Sequence, residues 1–584
     1  MNYFKAISGI ICSEIQNLVD EGKLITGLNL GRIGVETTRD PAHGDLASNA
    51  AMVLAKPAKT NPKELGQLIV ERLATRAEFD SVSIAGPGFI NMRLVSNFWT
   101  QLLPTVLKTG PEYGNCNLGK GETINVEYVS ANPTGPMHIG HARGAVIGDA
   151  LASLLAKAGY NVSREYYVND AGTQIDVLAR SVHLRYLQAL GEEIGNIPKG
   201  LYPGQYLIKT GEDLVERDGA KWRDSTEEKW LPEVRNFAIE SMMLLIRDDL
   251  MALGVFHDVF TSESDLVATG ANTEAVDELK SSDLVYIGTL KPPKGKLPEN
   301  WEGRPQLLFR SSNFGDDVDR PLKKADGDWT YFASDIAYHQ DKFRRGFNSM
   351  INVWGVDHKG YVKRMQSAVK AITKDRGALD VQLCNLVNLL ENGRPAKMSK
   401  RAGSFVTLRE VVDEVGKAAV RFMMLTRSSD ATLDFDLKKV VEQSKDNPLF
   451  YIQYAHARVC SVIRNTAAAF PDLSLDDSSL AKADIGQLQD LGELQMIRDL
   501  ASWPEVVERA AKAREPHRIA FYLSDLAASF HAFWNRGNSE ESLRFIVFDN
   551  AGKTLARVAL ARAVGIVIGS GLSVIGVAPV EEMR

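Results

Sequence analysis

TINVEYVSANPTGPMHIGHARGAVIGD, residues 123–149, is the stretch on which the reading of the whole chain turns. Ile124, Val126, Tyr128 and Val129 form a β-branched and aromatic run that fits a buried strand. Ser130, Asn132, Pro133, Thr134, Gly135 and Pro136 then break regular structure. After His138-Ile139-Gly140-His141, an Ala- and Leu-rich segment up to Leu155 reads as a helix. A strand that feeds a helix start through a Gly/Pro loop is a ready anion site, because the first backbone N–H groups of the helix are unpaired and point outward. The two histidines add donors that a phosphate can use.

Working outward, REYYVN (164–169) reads as the next strand and Asp170-Ala171-Gly172-Thr173-Gln174 as the next helix start. That order makes a βαβ unit and hence a parallel sheet. No G-x-G-x-x-G accompanies it, so a dinucleotide is not the expected ligand. Residues 186–305 lose periodicity and gather prolines, which reads as an insertion between two halves of the sheet. QLLFRS (306–311) is expected to reopen the sheet, and 330–339 to run from loop into helix. SMINVWGV (349–356) reads as a strand that ends at Asp357-His358. Ligands of open α/β sheets bind beyond the carboxyl ends of strands. Glu127, Asn132, Tyr331, Asp335 and Asp357 all fall near such ends.

LVNLLENGRPAKMSKRAG (386–403) carries a second cluster, Lys397-Met398-Ser399-Lys400, flanked by Gly393-Arg394-Pro395 and Gly403. Two lysines around a serine in a loop free to move can follow phosphates as charge redistributes, where such groups act most strongly. ANPTGPMHIGHARG resembles the HIGH signature of class I aminoacyl-tRNA synthetases, in the longer form typical of the arginyl-tRNA synthetase family, and KMSK resembles the second signature of that class. The resemblance runs over nearly the full chain.

It implies activation of L-arginine by ATP with Mg2+, then transfer of arginine to the terminal ribose of tRNA(Arg). In the catalytic roles, His138 and His141 would stabilise phosphate oxygens, and Lys397 and Lys400 the departing pyrophosphate. Gly135, His138, Gly140, His141, Gly355, Met398 and Ser399 would contact ATP. Glu127, Asn132, Tyr331, Asp335 and Asp357 would hold arginine; a guanidinium offers five donors in a fixed fork and demands carboxylates around it. Asp357 also sits in Gly355-Val356-Asp357, which resembles the ribose-binding element of the class, so both roles stay open for it. The family further implies that adenylate formation can require bound tRNA. Another class I synthetase, such as cysteinyl, and a tRNA-binding paralogue without catalysis are the alternatives.

At 584 residues the chain should hold several domains. The expected fold class is α/β: a small N-terminal α+β domain (1–107), a Rossmann-like parallel-sheet catalytic domain (120–440) with its insertion, and a C-terminal all-α bundle (441–584). A Gly/Pro/Asn-rich linker, 108–121, joins the first two. By resemblance the N-terminal domain touches the corner of the tRNA, with Phe89 and Asn91 as candidate base contacts. The bundle resembles an anticodon-binding domain, with Trp534, Tyr451, Tyr454 and Phe530 as candidate stacking rings.

Hydrophobic residues at 44% and charged residues at 24% suit a soluble globular protein. The four cysteines form no C-x-x-C pair, which argues against zinc and against a disulfide framework and suits the cytoplasm. No export signal is read at the N-terminus. Residues 563–580 carry no charge, but their Gly, Ser and Pro favour a buried helix over a membrane span. A monomer without membrane attachment is expected. Net charge of −6 gives no sign of nucleic acid, so local basic faces are the candidates: KFRR (342–345), KMSKR (397–401) and RAAKAREPHR (509–518).

Overall fold

The computed structural model describes residues 2–38, 40–95, 98–99, 101–290, 303–396 and 406–583. The N-terminal unit begins with the helix Tyr3–Asp20, capped by Asn2, whose buried Ile7, Ile11, Ile15 and Leu18 recur at helical spacing along one face. It packs on an antiparallel sheet of order β1-β2-β4-β3, made of β1 (Val35–Thr37), β2 (Leu46–Ser48), β3 (Phe79–Ala85) and β4 (Phe89–Leu94).

The central sheet comprises β5 (Thr123–Glu127), β6 (Asn161–Val168), β7 (Val259–Ser262), and, later in the chain, Ser349–Gly355 and Ala378–Cys384. Between these, β8 (Val285–Gly288), β9 (Gln306–Phe309) and β10 (Arg320–Pro321) form a separate antiparallel sheet. With Ser349–Gly355 as β11 and Ala378–Cys384 as β12, the central order is β12-β11-β5-β6-β7, parallel throughout. The helix Ile139–Lys157 crosses from β5 to β6, and the helix Tyr331–Arg344 leads into β11 on the other side of β5. The topological switch point therefore lies between β5 and β11, where a crevice opens beyond the strand ends.

Two expectations about the middle of the chain need correction. The span 186–305 is not all insertion, because Val259–Ser262 pairs in register with β6 and forms the edge of the central sheet. Gln306–Phe309 does not reopen that sheet: it finds antiparallel partners close by in sequence, β8 and β10. Apart from β7 and β8, the described part of the span is mainly helical. Tyr206–Asp218 and Glu227–Leu253 pack on Thr173–Ala189 around Leu178, Val182, Leu214, Trp230 and Val234.

The helices Pro448–Ala469, Leu491–Ala513, His517–Ser539 and Ala551–Val574 form the C-terminal bundle. Ala551–Val574 is long and apolar enough to cross a membrane, and it is buried on nearly every side by its neighbours, as an all-round hydrophobic helix of a folded core must be. Its Arg557 is fully buried, paired with Glu493 at 2.6 Å, and donates to the carbonyls of Ser542 and Arg544 at 2.6 Å. Tyr113, in the segment expected as a linker, is buried; its hydroxyl donates to Leu500 O at 3.0 Å and its carbonyl accepts from Trp503 Nε1 at 2.9 Å. That connection is a packed joint between units.

Two basic stretches are spent internally. In KFRR, Lys342 is fully buried and Arg345 bonds both oxygens of Glu165 at 2.7 and 3.0 Å, so two of its three cations are engaged within the protein. In 509–518, Arg509, Lys512, Arg514 and Arg518 are paired with Glu505, Glu508, Asp380 and Glu515.

Candidate active site

The turn after β5 is strained. Val129 has φ +72° and Ser130 φ +43°, a left-handed pair that a β-branched residue rarely adopts. Each such residue costs on the order of 1–3 kcal/mol and persists only where its surroundings hold it. Here Ser130 Oγ donates to Glu127 Oε1 at 3.0 Å and accepts from the Tyr167 N–H at 3.1 Å, while the Tyr166 hydroxyl donates to Ala131 O at 2.7 Å. The turn forms the wall between two cavities. One, of about 640 Å³, runs along the histidine signature; the other, of about 460 Å³, lies over β5, β11 and the start of the helix Tyr331–Arg344. Val129, Ser130, Asn132, Val353, Trp354, Gly355 and His358 line both.

In the larger cavity His138 is the N-cap of the helix Ile139–Lys157. Its Nδ1 accepts from Gly140 N–H at 3.1 Å, and its own backbone N–H donates to His141 Nδ1 at 3.3 Å. Both Nδ1 atoms are thus acceptors, which puts the proton of each neutral ring on Nε2. Burial lowers both pKa values, that of His141 to about 4, so neutral Nε2–H donors stand at the helix N-terminus near pH 7. The signature loop is tied down at Met137, whose N–H donates to Asp249 Oδ2 at 3.1 Å and whose carbonyl accepts from Leu408 N–H at 2.7 Å. Lys397, Met398, Ser399 and Lys400 lie outside the described residues. Thr407, further along the same segment, is bridge-paired with His138.

Three glycines assigned to ATP contact have protein neighbours that account for them. A Cβ on Gly135 would stand 2.8 Å from the Tyr206 hydroxyl, one on Gly140 2.9 Å from the His138 ring, and one on Gly355 2.3 Å from Asp357 Oδ1. Each lets a polar side chain fold over the backbone at the cavity wall.

The smaller cavity is acidic. Glu127, at the end of β5, is buried and its Oε2 meets Lys342 Nζ at 2.6 Å; Lys342 also donates to Asn352 Oδ1 at 3.2 Å. Asn352 Nδ2 in turn donates to His339 Nε2 at 3.0 Å, and His339 Nδ1 donates to Asp335 O at 2.8 Å. Burial holds His339 neutral, with its pKa near 3. Lys342 thus balances Glu127, and two carboxyls are left without a cation. Asp335 accepts from the Tyr361 hydroxyl at 2.5 Å, and its pKa is pushed up to about 7 by burial and by the nearby Glu127 and Glu263. Glu263, 4% exposed, has one oxygen, Oε2, with no hydrogen-bond partner; burial and the neighbouring Asp170 raise its pKa. Unpaired buried carboxyls beside the rings of Tyr167, Tyr331, Tyr338 and Tyr361 make a receptor for a planar organic cation.

Glu127, Asn132, Tyr331 and Asp335 all line this acidic cavity. Tyr331 is 61% exposed at its mouth, and Asn132 is held by Gln174 at 3.0 Å. Asp357 is exposed and lines only the larger cavity. Glu263, Lys342, His339 and Asn352 were not expected from sequence. Glu263 follows β7, and the strand-end rule that found Glu127 would have found it had β7 been recognised as part of the central sheet.

Farther away, Phe89 is half-buried at the start of β4 and Asn91 is buried. Asn91 lines a small polar cavity of about 190 Å³ with His43, Ser81, Ser83 and Arg93. Trp534 is half-buried, with the Arg458 guanidinium 4.8 Å from its ring centroid. Phe530 is fully buried against Phe545 and belongs to the bundle core, so it is no stacking platform. Tyr451 and Tyr454 are half-buried beside His531.

Three family descriptions match in succession: arginyl tRNA synthetase N terminal domain over residues 6–94, tRNA synthetases class I (R) catalytic domain over 102–196 and 294–459, and DALR anticodon binding domain over 452–583. The chain is 55% identical over 584 residues to the arginine–tRNA ligase of Parvibaculum lavamentivorans, covering all of both chains. It is also 55% identical over 592 aligned residues to that of Rhodospirillum rubrum, again over all of both. The crystal structure described as a putative arginyl-tRNA synthetase from Campylobacter jejuni superposes with a TM-score of 0.72 at 32% identity, over 84% of this chain and 100% of the other. Full-length identity of 55% and three matching domains in order place the chain in the arginyl-tRNA synthetase family.

Proposed function

We propose that the protein is an arginine–tRNA ligase that activates L-arginine with ATP and transfers it to the terminal ribose of tRNA(Arg). The observation that carries this reading is the pair of cavities joined at the Val129-Ser130 turn, one fitted with neutral imidazole donors and the other with cation-seeking carboxyls. Arginine would place its guanidinium between Asp335 and Glu263 and its α-carboxylate at the shared wall, where Asn132 stands. There the carboxylate attacks the α-phosphate in line and pyrophosphate leaves. His138 and His141 would donate Nε2–H bonds to phosphate oxygens as charge builds, and Lys397 and Lys400 would take the leaving pyrophosphate. The work is positioning and electrostatics, with no covalent enzyme intermediate.

Asp357 is the one carboxylate lining the nucleotide cavity among the described residues, which favours its ribose role. Mg2+ prefers oxygen ligands and would arrive on the phosphates of ATP itself. For tRNA, the polar cavity holding Asn91 beside Phe89 suits one base edge, and Trp534 supplies a ring face in the bundle. A single chain contains both cavities and both candidate tRNA surfaces, which supports a monomer, and the burial of the helix Ala551–Val574 within the bundle supports a chain without membrane attachment.

The deciding measurement is ATP–pyrophosphate exchange with each amino acid, with and without tRNA. Exchange with arginine in the presence of cognate tRNA is expected. Exchange with another amino acid, or none with arginine, would overturn the assignment.

A further inference from the structure

A cleft of about 550 Å³ opens away from both cavities, where the helix Ile139–Lys157 meets the helix Ala551–Val574. Its charged lining side chains are Lys157, Arg164 and Arg562, and no acidic side chain among the described residues lines it. Lys157 Nζ donates to Asn115 Oδ1 at 2.7 Å and Pro111 O at 3.3 Å and lies 5.9 Å from the Trp503 ring centroid, with no carboxylate among the described residues at ion-pair distance. Burial lowers its pKa to about 8, against the opposing pull of Glu112. Arg164 stands 3.7 Å from Asp149, but that carboxylate is already held by the fully buried Arg421 at 2.5 Å. Arg562 is matched by Asp477 at 2.7 and 3.0 Å. The walls thus carry three cations: Arg562 is matched by Asp477, Arg164 shares Asp149 with Arg421, and Lys157 is opposed only from longer range, by Glu112. Ser153 and Ser573 add hydroxyls, and beyond Gly569 the space is open.

We propose that this cleft binds a small phosphorylated anion, with Lys157 as its main ligand and Ser153 and Ser573 beside it. A tetrahedral phosphate brings several acceptors to a concave site whose donors come from two domains, and it supplies the charge that Lys157 lacks. The concavity favours a small molecule, since an RNA backbone lies across convex surfaces more readily than it enters a crease. By touching the end of the signature helix and the last helix of the bundle together, the anion would tie the catalytic domain to the C-terminal one.

The test is calorimetric titration of inorganic pyrophosphate into the full-length protein, its Lys157→Met and Lys157→Arg variants, and Ser573→Glu. Ser573 is exposed and adds a repelling charge at little risk to folding. The wild type should show a binding event that Lys157→Met weakens roughly tenfold or more, that Ser573→Glu removes, and that Lys157→Arg largely restores. ATP–pyrophosphate exchange should be unchanged in Lys157→Met, because the histidine signature is untouched. The proposal is overturned if the wild type shows no such event, or if all four proteins titrate alike. It is equally overturned if the variants leave pyrophosphate binding intact and weaken tRNA binding, which would make the cleft an RNA contact.

Discussion

Lowering the pH from 8 to 6 should weaken arginine binding about tenfold, and Asp335→Asn should remove most of that dependence. The reasoning starts from charge balance in the acidic cavity. Glu127 is neutralised by Lys342 at 2.6 Å, so a bound guanidinium must draw on Asp335 and Glu263. Asp335 carries a pKa of about 7 in the free protein, chiefly from burial. A carboxyl with that value is ionised to roughly nine-tenths at pH 8 and one-tenth at pH 6, and only the ionised form pairs with guanidinium, so apparent affinity falls by about one decade. Asp335→Asn removes one charge of the pair as well, which costs about 2–5 kcal/mol, or roughly thirtyfold and upward.

The assay is calorimetry with L-arginine at half-unit pH steps, run also in a His358→Gln background to remove the exposed imidazole that lines both cavities. The same shift has a stability consequence. A raised carboxyl favours the protonated fold, a contribution complete below the ordinary value of 3.8 and lost above about 7. Arginine should therefore protect against heat more at pH 8 than at pH 6. A flat affinity in the wild type, or an undiminished slope in Asp335→Asn, would refute the reasoning.

Two other perturbations test separate parts of the site. His141→Ala removes an Nε2–H donor and should slow adenylate formation by roughly 10²–10³ while arginine affinity by calorimetry stays within twofold; a matching loss of both would deny it a role confined to the phosphates. Lys342→Met leaves Glu127 buried and unpaired and should cost about 3–5 kcal/mol in urea melts, with much of it regained in the Lys342→Met/Glu127→Gln double variant; additive losses would show that the two side chains are not coupled.

What the sequence made legible follows the range over which each cue acts. The signature strand, loop and helix are local, and β5 and the helix Ile139–Lys157 stand where the periodicity puts them. The start of the helix at Tyr331 was readable for the same reason, whereas β5 stops at Glu127, short of the expected run through Val129, because Val129 and Ser130 turn left-handed. β7 was missed because its four residues have no alternation of their own and are recognised only through pairing with β6, which a sequence read in order does not display. Losing β7 meant losing Glu263. Lys342 was misread in a different way: among Phe343, Arg344 and Arg345 it looks like part of a solvated basic run, and only the rotation of the helix Tyr331–Arg344 sends it inward to Glu127. The left-handed pair Val129-Ser130 had no cue, since neither residue type announces a positive φ.

In the proposed reading, that strained pair lets one strand serve two ligands of opposite charge. A straight continuation of β5 would leave a single cavity, in which the carboxyls that attract a guanidinium would also repel a triphosphate. Turning the backbone through two left-handed residues puts Ser130 between them, its hydroxyl donating toward Glu127 and accepting from Tyr167 N–H. The turn shields the phosphate side from Glu127 while leaving the rim, at Asn132, common to both cavities. Lys342 completes the separation by cancelling Glu127, the carboxylate bonded to Ser130, so the remaining negative charge sits at Asp335 and Glu263. An arginine spanning the two compartments then has its cation where the field is most negative and its carboxylate where the imidazole donors begin, which is the arrangement that an in-line attack on the α-phosphate requires.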